Sequence, residues 1–288
     1  MAKIEHISDT ARWVAVYRAM ETDRRDAIFR DPFASRLAGD KGEAIVDAMK
    51  NGRRMAWAMI VRTAVMDEII LERVRNGGVD LVLNLAAGLD ARAWRMPLPK
   101  TLRWIDVDLP DILDYKTDLL KDETPACRYE AIRLDLRDGA KRRALFTQLS
   151  TEARRVLVVT EGLLIYLTPD QVSTLAADLH AAPTFDWWLI DLANPRLLQI
   201  MLKYWGKSVH AGNAPFQFAP AEGTSFFEPF GWTEAEFRSS MEEAHRLKRE
   251  MRGMWFWRFL GRFSPKARQE EFRRMSGIVL LTRREPGR

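Results

Sequence analysis

The sequence of 288 residues contains very little cysteine and histidine, from which disulfide frameworks and zinc sites are built. Cys127 is the single cysteine, so neither an intramolecular disulfide nor a CxxC motif can form. The four histidines are His6, His180, His210 and His245. None of them has the spacing of zinc ligands, and we therefore expect no bound metal.

Long uncharged runs are also lacking. No stretch approaches the roughly 18 apolar residues that would predict a membrane span. The N-terminal residues are polar and include Glu5 and Asp9, whereas a signal peptide would have an apolar core there. Because 47% of the residues are hydrophobic, a sizeable core can form. We therefore expect a soluble, cytoplasmic protein.

Positive charge is concentrated in residues 246–274, although the net charge of the chain is only +5. This segment has ten Lys and Arg against three Glu, and it contains Trp255 and Trp257. Basic residues around aromatics are typical of contact with an anionic membrane surface or with nucleic acid. The alternative, which we favour, is a helix whose aromatic face packs on the core while its arginines stay solvated. We expect no nucleic-acid partner and at most a weak membrane-surface contact.

Hydrophobic periodicity predicts helices first and then alternating strands and helices. Residues 8–38 and 43–75 have helical spacing, with an end near Pro32 and a break near Asn51-Gly52. The predicted strands are 80–85, 102–107, 128–133, 156–160, 186–191 and 277–283, with a further one near 224–228. The helices between them are predicted around 90–95, 109–121, 138–150 and 169–181. This alternation predicts an α/β fold with a seven-stranded, mostly parallel sheet.

We expect a single domain over residues 1–288, built in four parts. Residues 1–78 would form N-terminal helices, and residues 79–193 would form the cofactor-binding core. Residues 194–231, which are rich in Pro, Gly and aromatics, would fold as a cap over the strand ends. Residues 232–288 would contribute C-terminal helices and the last strand.

The most informative stretch is DLVLNLAAGLDARAWR, residues 80–95. An apolar strand there ends in a turn of small residues that opens a helix, which is how α/β sheets build cofactor sites. Gly88 can adopt φ > 0 without strain, whereas Ala86 and Ala87 stand where many such turns have glycine. The pattern predicts a nucleoside cofactor; the alternative is an ordinary turn with an exposed loop. Because the turn lacks GxGxxG, NAD is disfavoured.

Carboxylates follow the ends of several predicted parallel strands, where they would repel one another. Asp106 and Asp108 end the second strand, Asp135 follows the third and Glu161 follows the fourth. Such a set suits a cationic ligand that also carries sugar hydroxyls, and S-adenosylmethionine (SAM) has both. Asp108 would bind the ribose, Asp135 the adenine amino group, and Glu161 would face the aminoacyl end.

These motifs, in this order, resemble the leucine carboxyl methyltransferase-like branch of the class I SAM-dependent methyltransferases, which includes polyketide O-methyltransferases. The matching segments are Thr10–Ala19, Asp31–Ala34, Arg62-Thr63, Ala87–Arg95, Asp106–Lys116, Asp135–Arg137 and Glu161–Leu167. They cover roughly residues 8–192, and the last third resembles the family only loosely. The resemblance implies a Rossmann-like fold with an N-terminal helical extension and a cap insertion.

The resemblance also implies roles for individual residues. Arg62 would bind the methionyl carboxylate, Gly88 would pass under the methionyl chain, and Glu161 would anchor the amino group. The remaining cofactor residues would be Arg18, Asp106, Asp108, Asp135 and Leu136. Arg18 is a weaker match than the others. For Asp106, a structural role is as well supported as direct binding.

The expected activity is O-methylation of a small hydrophobic or aromatic acceptor. The cap residues Trp205, Phe216, Phe218, Phe226 and Phe227 would line its pocket, or would pack in the core. A hydroxyl acceptor needs a general base, for which His210 and Tyr204 are the candidates, although His210 also fits an ordinary loop histidine. The alternatives are a protein C-terminal carboxyl methyltransferase and a SAM-binding module without catalysis.

Overall fold

A computed structural model describes residues 9–49, 51–211, 215–251, 253–254 and 265–284, with side chains omitted at 205–211. The side chains of the predicted base His210 and of the predicted pocket residue Trp205 therefore lie outside the described part of the structure. Trp255 and Trp257 lie outside the described residues altogether. The membrane-surface contact of residues 246–274 stays a prediction. In the ranges given above, no helix combines the length and the apolarity that crossing a bilayer requires.

A seven-stranded sheet forms the centre of the fold and confirms the predicted class. Its strands are β1 (Leu81–Leu85), β2 (Arg103–Asp108), β3 (Arg128–Arg133), β4 (Val156–Thr160), β5 (Phe185–Ala193), β6 (Trp232–Ser239) and β7 (Ser276–Arg283). The order across the sheet is β3-β2-β1-β4-β5-β7-β6. The first five strands in this order are parallel, and β7 runs antiparallel to both of its neighbours. The carboxyl ends of β1–β5 therefore lie at one edge of the sheet. The first residue of β7 and the last residue of β6 lie at the same edge.

Ten helices in the described ranges surround the sheet. They are α1 (Asp9–Thr22), α2 (Ala34–Ala48), α3 (Ala56–Asn76), α4 (Arg92–Arg95), α5 (Pro110–Leu120), α6 (Gly139–Glu152), α7 (Pro169–His180), α8 (Pro195–Ala211), α9 (Ser240–Arg246) and α10 (Lys266–Arg273). Local chemistry determines several starts. Thr168 and Gln171 form a reciprocal capping box at α7, and Asp138 accepts a hydrogen bond from the Lys141 amide at α6.

Three expectations about elements are corrected by the structure. The helix predicted to end near Pro32 ends ten residues earlier, at Thr22, and the next helix begins at Ala34. The strand near 224–228 is instead a 3₁₀ helix, Gly223–Phe230, and the strand in this region is β6. Positive φ angles at Gly223 and Gly231 bound that helix. The cap segment 194–231 also contains the long helix α8, which its composition did not predict.

Aromatic packing explains why the segment 223–230 is a 3₁₀ helix. Trp188 of β5 has no exposed surface, and it packs edge-on against Phe227 and Trp232 with ring centroids 5.3 and 5.7 Å apart. Phe226 lies 5.3 Å from Phe227. Such aromatic pairs contribute about 0.5–1.5 kcal/mol each beyond burial of their area. Phe226 and Phe227 therefore pack in or against the core, and the expectation that they line the pocket is wrong.

The N-terminal helices lie near the edge where the parallel strands end. Helices α1 and α2 pack on each other and, with α5, enclose a hydrophobic cluster that includes Val16, Leu37 and Ile112. Leu89, from the turn region after β1, belongs to the same cluster. The N-terminal helices thus complete a site that the sheet alone would leave open.

Candidate functional site

The turn after β1 is held by Asp108, which ends the neighbouring strand β2. The pairing of Leu85 with Val107 brings the two strand ends side by side. The amide of Gly88 donates to Asp108 Oδ2 at 2.7 Å, and the Leu109 amide donates to Oδ1 at 2.7 Å. Burial raises the pKa of Asp108 more than these two hydrogen bonds lower it. Gly88 has φ +51°, and a Cβ there would lie 3.0 Å from the Ala11 Cβ of α1.

Asp106 lies beneath this turn and is fully buried. Its carboxylate accepts hydrogen bonds from Lys116 Nζ at 2.6 Å, Trp104 Nε1 at 2.8 Å and Asn84 Nδ2 at 3.0 Å. Lys116 Nζ also donates to the Asp90 carbonyl at 3.2 Å. Asp106 does not line the cavity described below. Of the two roles considered for it, the structure therefore favours the structural one.

A network of arginines and carboxylates crosses the ends of β1, β4 and β5. Arg62 of α3 donates from Nε to Glu161 at 2.9 Å and from a terminal nitrogen to Asp191 at 3.0 Å. Asp191 also accepts the Gly162 amide at 2.6 Å. Arg92, only 2% exposed, bonds to the other oxygen of Glu161 at 2.6 Å. Arg62 and Glu161, predicted to bind opposite ends of one ligand group, thus bind each other.

The same network continues behind the first turn. Arg92 bonds to Asp90 at 2.7 Å and to Asp67 of α3 at 2.6 Å. Arg95 makes two bonds to the Asp67 carboxylate, at 2.7 and 2.8 Å. Three guanidinium groups, Arg62, Arg92 and Arg95, therefore face four carboxylates, Asp67, Asp90, Glu161 and Asp191.

Neighbouring cations lower the pKa of two carboxylates of this network, Asp90 and Glu161. Burial by itself would raise the pKa of Asp90, but the charges of Arg92, Arg95, Arg18 and Lys116 outweigh it and hold the pKa at about 2. Burial is likewise outweighed at Glu161, whose pKa is lowered by Arg92 and Arg62. The formal charges of the three arginines and four carboxylates of the network sum to −1. A cationic ligand is electrostatically complementary to it.

Arg18 reaches the site from α1. Its Nε donates to Asp31 at 2.8 Å, and a terminal nitrogen donates to the Leu89 carbonyl at 2.6 Å. Only 7% of the residue is exposed, yet it lines the cavity. In this structure Arg18 braces the turn that follows β1.

Asp135 and Leu136 follow β3. The Asp135 carboxylate accepts the Arg137 amide at 2.9 Å and pairs with the Arg137 guanidinium at 2.7 Å. The hydrogen bond from the Arg137 side chain lowers the pKa of Asp135 most, and the one from the Arg137 amide lowers it further. Arg142 donates to the Leu136 carbonyl at 2.5 Å, which fixes the loop on α6. Both residues line the cavity, one polar and one apolar.

One cavity of about 1140 Å³ lies at the carboxyl edge of the sheet. Seven of the eight predicted cofactor residues line it, namely Arg18, Arg62, Gly88, Asp108, Asp135, Leu136 and Glu161. Phe216 and Phe218 line it as predicted. Tyr204 does not, since its ring is on the surface of α8 and the residue is 48% exposed. The volume exceeds the roughly 300–1,000 Å³ of common ligand pockets, which leaves room for two ligands.

Five residues of the network were absent from the predicted cofactor set, namely Asp67, Asp90, Arg92, Arg95 and Asp191. Asp67 carries no motif signal because it lies within helix α3. Asp191 could have been found, since it lies in the last part of β5 just as Asp108 ends β2. The sequence analysis assigned the carboxylates at the ends of the other parallel strands to the cofactor site, and the same reasoning applies to Asp191.

The parallel sheet with its reversed strand β7 and a large cavity at the carboxyl edge is the fold of class I methyltransferases. Within that class, the family model for leucine carboxyl methyltransferase matches residues 11–180. The chain therefore belongs to this family, and the resemblance found in its motifs is confirmed.

Similar proteins occur in actinobacteria. The chain is 36% identical over 178 residues to a protein of Streptomyces coelicolor, a match that covers 58% of this chain and 62% of the relative. It is 36% identical over 182 residues to a protein of Streptomyces avermitilis, covering 60% of this chain and 64% of the relative. Both carry the name "putative S-adenosyl-L-methionine-dependent methyltransferase". The chain thus matches less than two thirds of the length of these relatives.

Solved structures support the fold. A DUF574 family protein from Streptomyces avermitilis superposes with a TM-score of 0.56 at 12% identity, covering 94% of this chain and 97% of that one. A putative methyltransferase from Thermobifida fusca gives a TM-score of 0.53 at 14% identity, covering 94% of each chain. At these identities the likeness concerns the fold alone.

Proposed function

We propose that the protein is a SAM-dependent O-methyltransferase that methylates a small hydrophobic or aromatic acceptor. The observation that carries this proposal is the convergence of seven independently predicted cofactor residues on one cavity. They come from α1, α3 and the ends of β1–β4, so their sequence positions span residues 18–161. Relatives named as SAM-dependent methyltransferases support the same activity.

The chemistry of the lining fits SAM. When bound, SAM supplies a methyl group on a sulfonium, which is a good leaving group and a cation. The network of Arg62, Arg92 and Arg95 with four carboxylates has a net charge of −1 and complements that cation. A guanidinium has five N–H donors. Arg62 uses two of them within the protein, so it retains capacity for a ligand carboxylate.

The acceptor oxygen is expected to arrive already ionised. Among the described residues that line the cavity, there is neither a histidine nor a lysine. Burial raises the pKa of both Tyr17 and Tyr166 to about 12, so these phenols stay protonated at neutral pH. A carboxylate or an acidic phenol needs no general base, whereas an alcohol does. His210 remains the predicted base for a hydroxyl acceptor.

Alignment is the main task left to the protein. The acceptor oxygen must attack the methyl carbon in line with the breaking carbon–sulfur bond, so that oxygen gains the methyl group as sulfur takes the electron pair. Holding two ligands in this geometry lowers the barrier by removing translational and rotational freedom. Side chains of α1, α3 and the strand ends line the cavity and would hold the two ligands in that geometry.

The first test is calorimetric binding of SAM and its product, S-adenosylhomocysteine (SAH). Arg62→Ala and Asp108→Asn should each weaken binding by roughly 10- to 100-fold, the loss of about 1.5–3 kcal/mol typical of a hydrogen bond to a charged group. Arg75→Ala on the same helix and Asp118→Asn on α5 are exposed controls and should bind like the wild type. Unchanged affinity in both site variants would show that the cofactor site is misplaced.

The second test is methyl transfer over a panel of aromatic and aliphatic acids, phenols and alcohols, followed by SAH release. We expect turnover with acids or acidic phenols and none with simple alcohols. A protein that binds SAM but methylates no member of such a panel, and no peptide with a free C-terminus, would be a binding module instead. Turnover confined to the peptide would favour the protein carboxyl methyltransferase.

A further inference from the structure

The cavity is unusually rich in methionine. Eight of the twelve methionines of the chain line it, three from residues 49–59 and five from residues 201–275. Methionine is flexible and polarisable, and it is favoured on surfaces that bind apolar partners of variable shape. The many methionines in this cavity indicate that it binds an apolar ligand and that its wall adapts to the shape of that ligand.

Two of these methionines, Met241 and Met275, lie away from the carboxylates assigned to the cofactor. Asp108 and Asp135 follow β2 and β3 on one side of the sheet. Met275 immediately precedes β7, whose first residue pairs with Ala193 at the end of β5. Met241 follows β6, whose last residue pairs with Gly277 of β7. The cavity therefore has a cofactor half beside β1–β3 and, beside β5–β7, a half that contains Met241 and Met275, which we call the methionine half.

The mouth of the methionine half has an apolar rim. In the described ranges the exposed large hydrophobic residues are Ile200, Leu202, Tyr204, Met251 and Phe272. Three of these, Ile200, Met251 and Phe272, also line the cavity. An ion pair between Arg196 and Glu271, 3.5 Å apart, ties the start of α8 to α10 and brings the two sides of the rim together. An apolar chain that is too long for the cavity can leave it along this rim.

We propose that the methionine half binds a single-chain amphiphilic carboxylic acid, with its ionised head toward the sulfonium of bound SAM and its chain toward the rim. The proposal rests on the proposed function, because it names the acceptor of that reaction. The ionised head follows from the lack of a histidine or lysine among the described lining residues, and the extended chain follows from the rim. Flexible methionines accommodate chains of several lengths.

The test titrates saturated fatty acids of 8, 10, 12 and 14 carbons into the full-length protein, with and without saturating SAH, below their critical micelle concentrations. Burial of each methylene is worth about 0.8 kcal/mol, which corresponds to a roughly fourfold tighter Kd per carbon. We expect this dependence until the chain reaches the rim, beyond which the gain per carbon falls.

Variants separate this site from nonspecific uptake of fatty acids. Met241→Gln and Met275→Gln should weaken binding of the 12- and 14-carbon acids by about tenfold or more, because each places a polar amide against the chain. Met241→Leu and Met275→Leu keep the apolar surface and should restore the affinity. Met20→Gln, on a half-buried methionine of α1 outside the cavity, is the matched control and should have no effect.

A Kd independent of chain length, or equal losses in Met20→Gln and the two cavity variants, would overturn the proposal. Failure of SAH to bind would instead overturn the proposed function. Because the chain-length series is also measured without SAH, it decides the methionine site in either case. Methyl ester formation from the 12-carbon acid with SAM, reduced in Met275→Gln and recovered in Met275→Leu, would support both.

Discussion

Ala86 has a left-handed backbone conformation, with φ +53°, in the turn that follows β1. Most residues with a Cβ lose about 1–2 kcal/mol in this conformation, whereas glycine does not. Many nucleotide-binding turns have glycine at this position, whereas this chain retains a strained alanine at the wall of the cavity. The turn keeps its shape because the Ala87 amide donates to the Val107 carbonyl at 3.3 Å and the Gly88 amide donates to Asp108 at 2.7 Å.

The first prediction is that Ala86→Gly stabilises the protein. Release of the strain exceeds the roughly 0.4–1 kcal/mol that the added flexibility of glycine costs in the unfolded chain. We expect the free energy of unfolding in urea to rise by about 0.5–1 kcal/mol. Ala177→Gly, at an exposed site in α7, should lower it by about 1 kcal/mol. A loss of stability in Ala86→Gly would contradict the strain.

The second prediction concerns pH and Asp90. Its pKa is about 2 in the folded protein against an ordinary value of 3.8, so ionised Asp90 stabilises the fold above pH 3.8. That stabilisation is lost as the pH falls from 3.8 to about 2. Asp90→Asn should therefore cost on the order of 2 kcal/mol at pH 7, and the difference from wild type should shrink toward pH 2. Urea unfolding at several pH values measures it, with exposed Asp118→Asn as the control.

At the scale of elements, the turn that follows β4 positions an arginine from a distant helix. Gly162 has φ +65°, and a Cβ there would lie 3.2 Å from a terminal nitrogen of Arg62. Its amide also holds Asp191, the second partner of Arg62. Gly162 thus contacts both Arg62 of α3 and Asp191 of β5. Any side chain at this position pushes the guanidinium away from its two carboxylates.

The third prediction compares two glycines with similar backbone conformations. In both Gly162→Ala and Gly223→Ala the free energy of unfolding should fall by about 1–2 kcal/mol, because the two glycines have positive φ angles of +65° and +61°. Only Gly162→Ala should also weaken SAH binding, since nothing lies within 4 Å of a Cβ at Gly223. Calorimetry on both variants, below their unfolding transitions, checks this. Equal affinity in the two variants would argue against a role for the placement of Arg62.

At the scale of the whole molecule, the two ends of the described chain are tied together by a buried ion pair. Arg249, which follows α9, donates to Glu21 of α1 at 2.7 and 2.9 Å. Glu21 has no exposed surface, and it also accepts the Ile28 amide at 2.8 Å. Since α1 supplies Arg18 to the cavity, this contact between distant parts of the chain supports the site.

The fourth prediction is that Arg249→Ala destabilises the protein by about 3 kcal/mol, because the buried Glu21 loses two charge-assisted hydrogen bonds and keeps only Arg24, 3.6 Å away, as a cationic neighbour. The double variant Glu21→Gln with Arg249→Met should recover part of that loss. Arg246→Ala, which removes a half-exposed ion pair, should cost less than about 1 kcal/mol. Denaturant unfolding of the three variants checks this. A small effect of Arg249→Ala would show that Glu21 finds other partners.

The strands could be predicted closely from sequence because β1 and β4 are mostly apolar and are buried along their whole length. The same reasoning failed at residues 224–228, where aromatic residues with strand propensity pack as a 3₁₀ helix on Trp188. It also missed α8 in a segment rich in proline and glycine. In both cases, packing against the sheet outweighed the local composition.

The sequence by itself determined the family, the parallel sheet and the residues that gather at its carboxyl edge, because strand ends in such a sheet share one edge. The tertiary structure decided how those residues are used. It buried Asp106 on Lys116, paired Arg62 with Glu161 and Asp191, and drew methionines from residues 49–59 and 201–275 into one cavity. These arrangements depend on contacts between residues up to 129 positions apart in the chain, which no local pattern records.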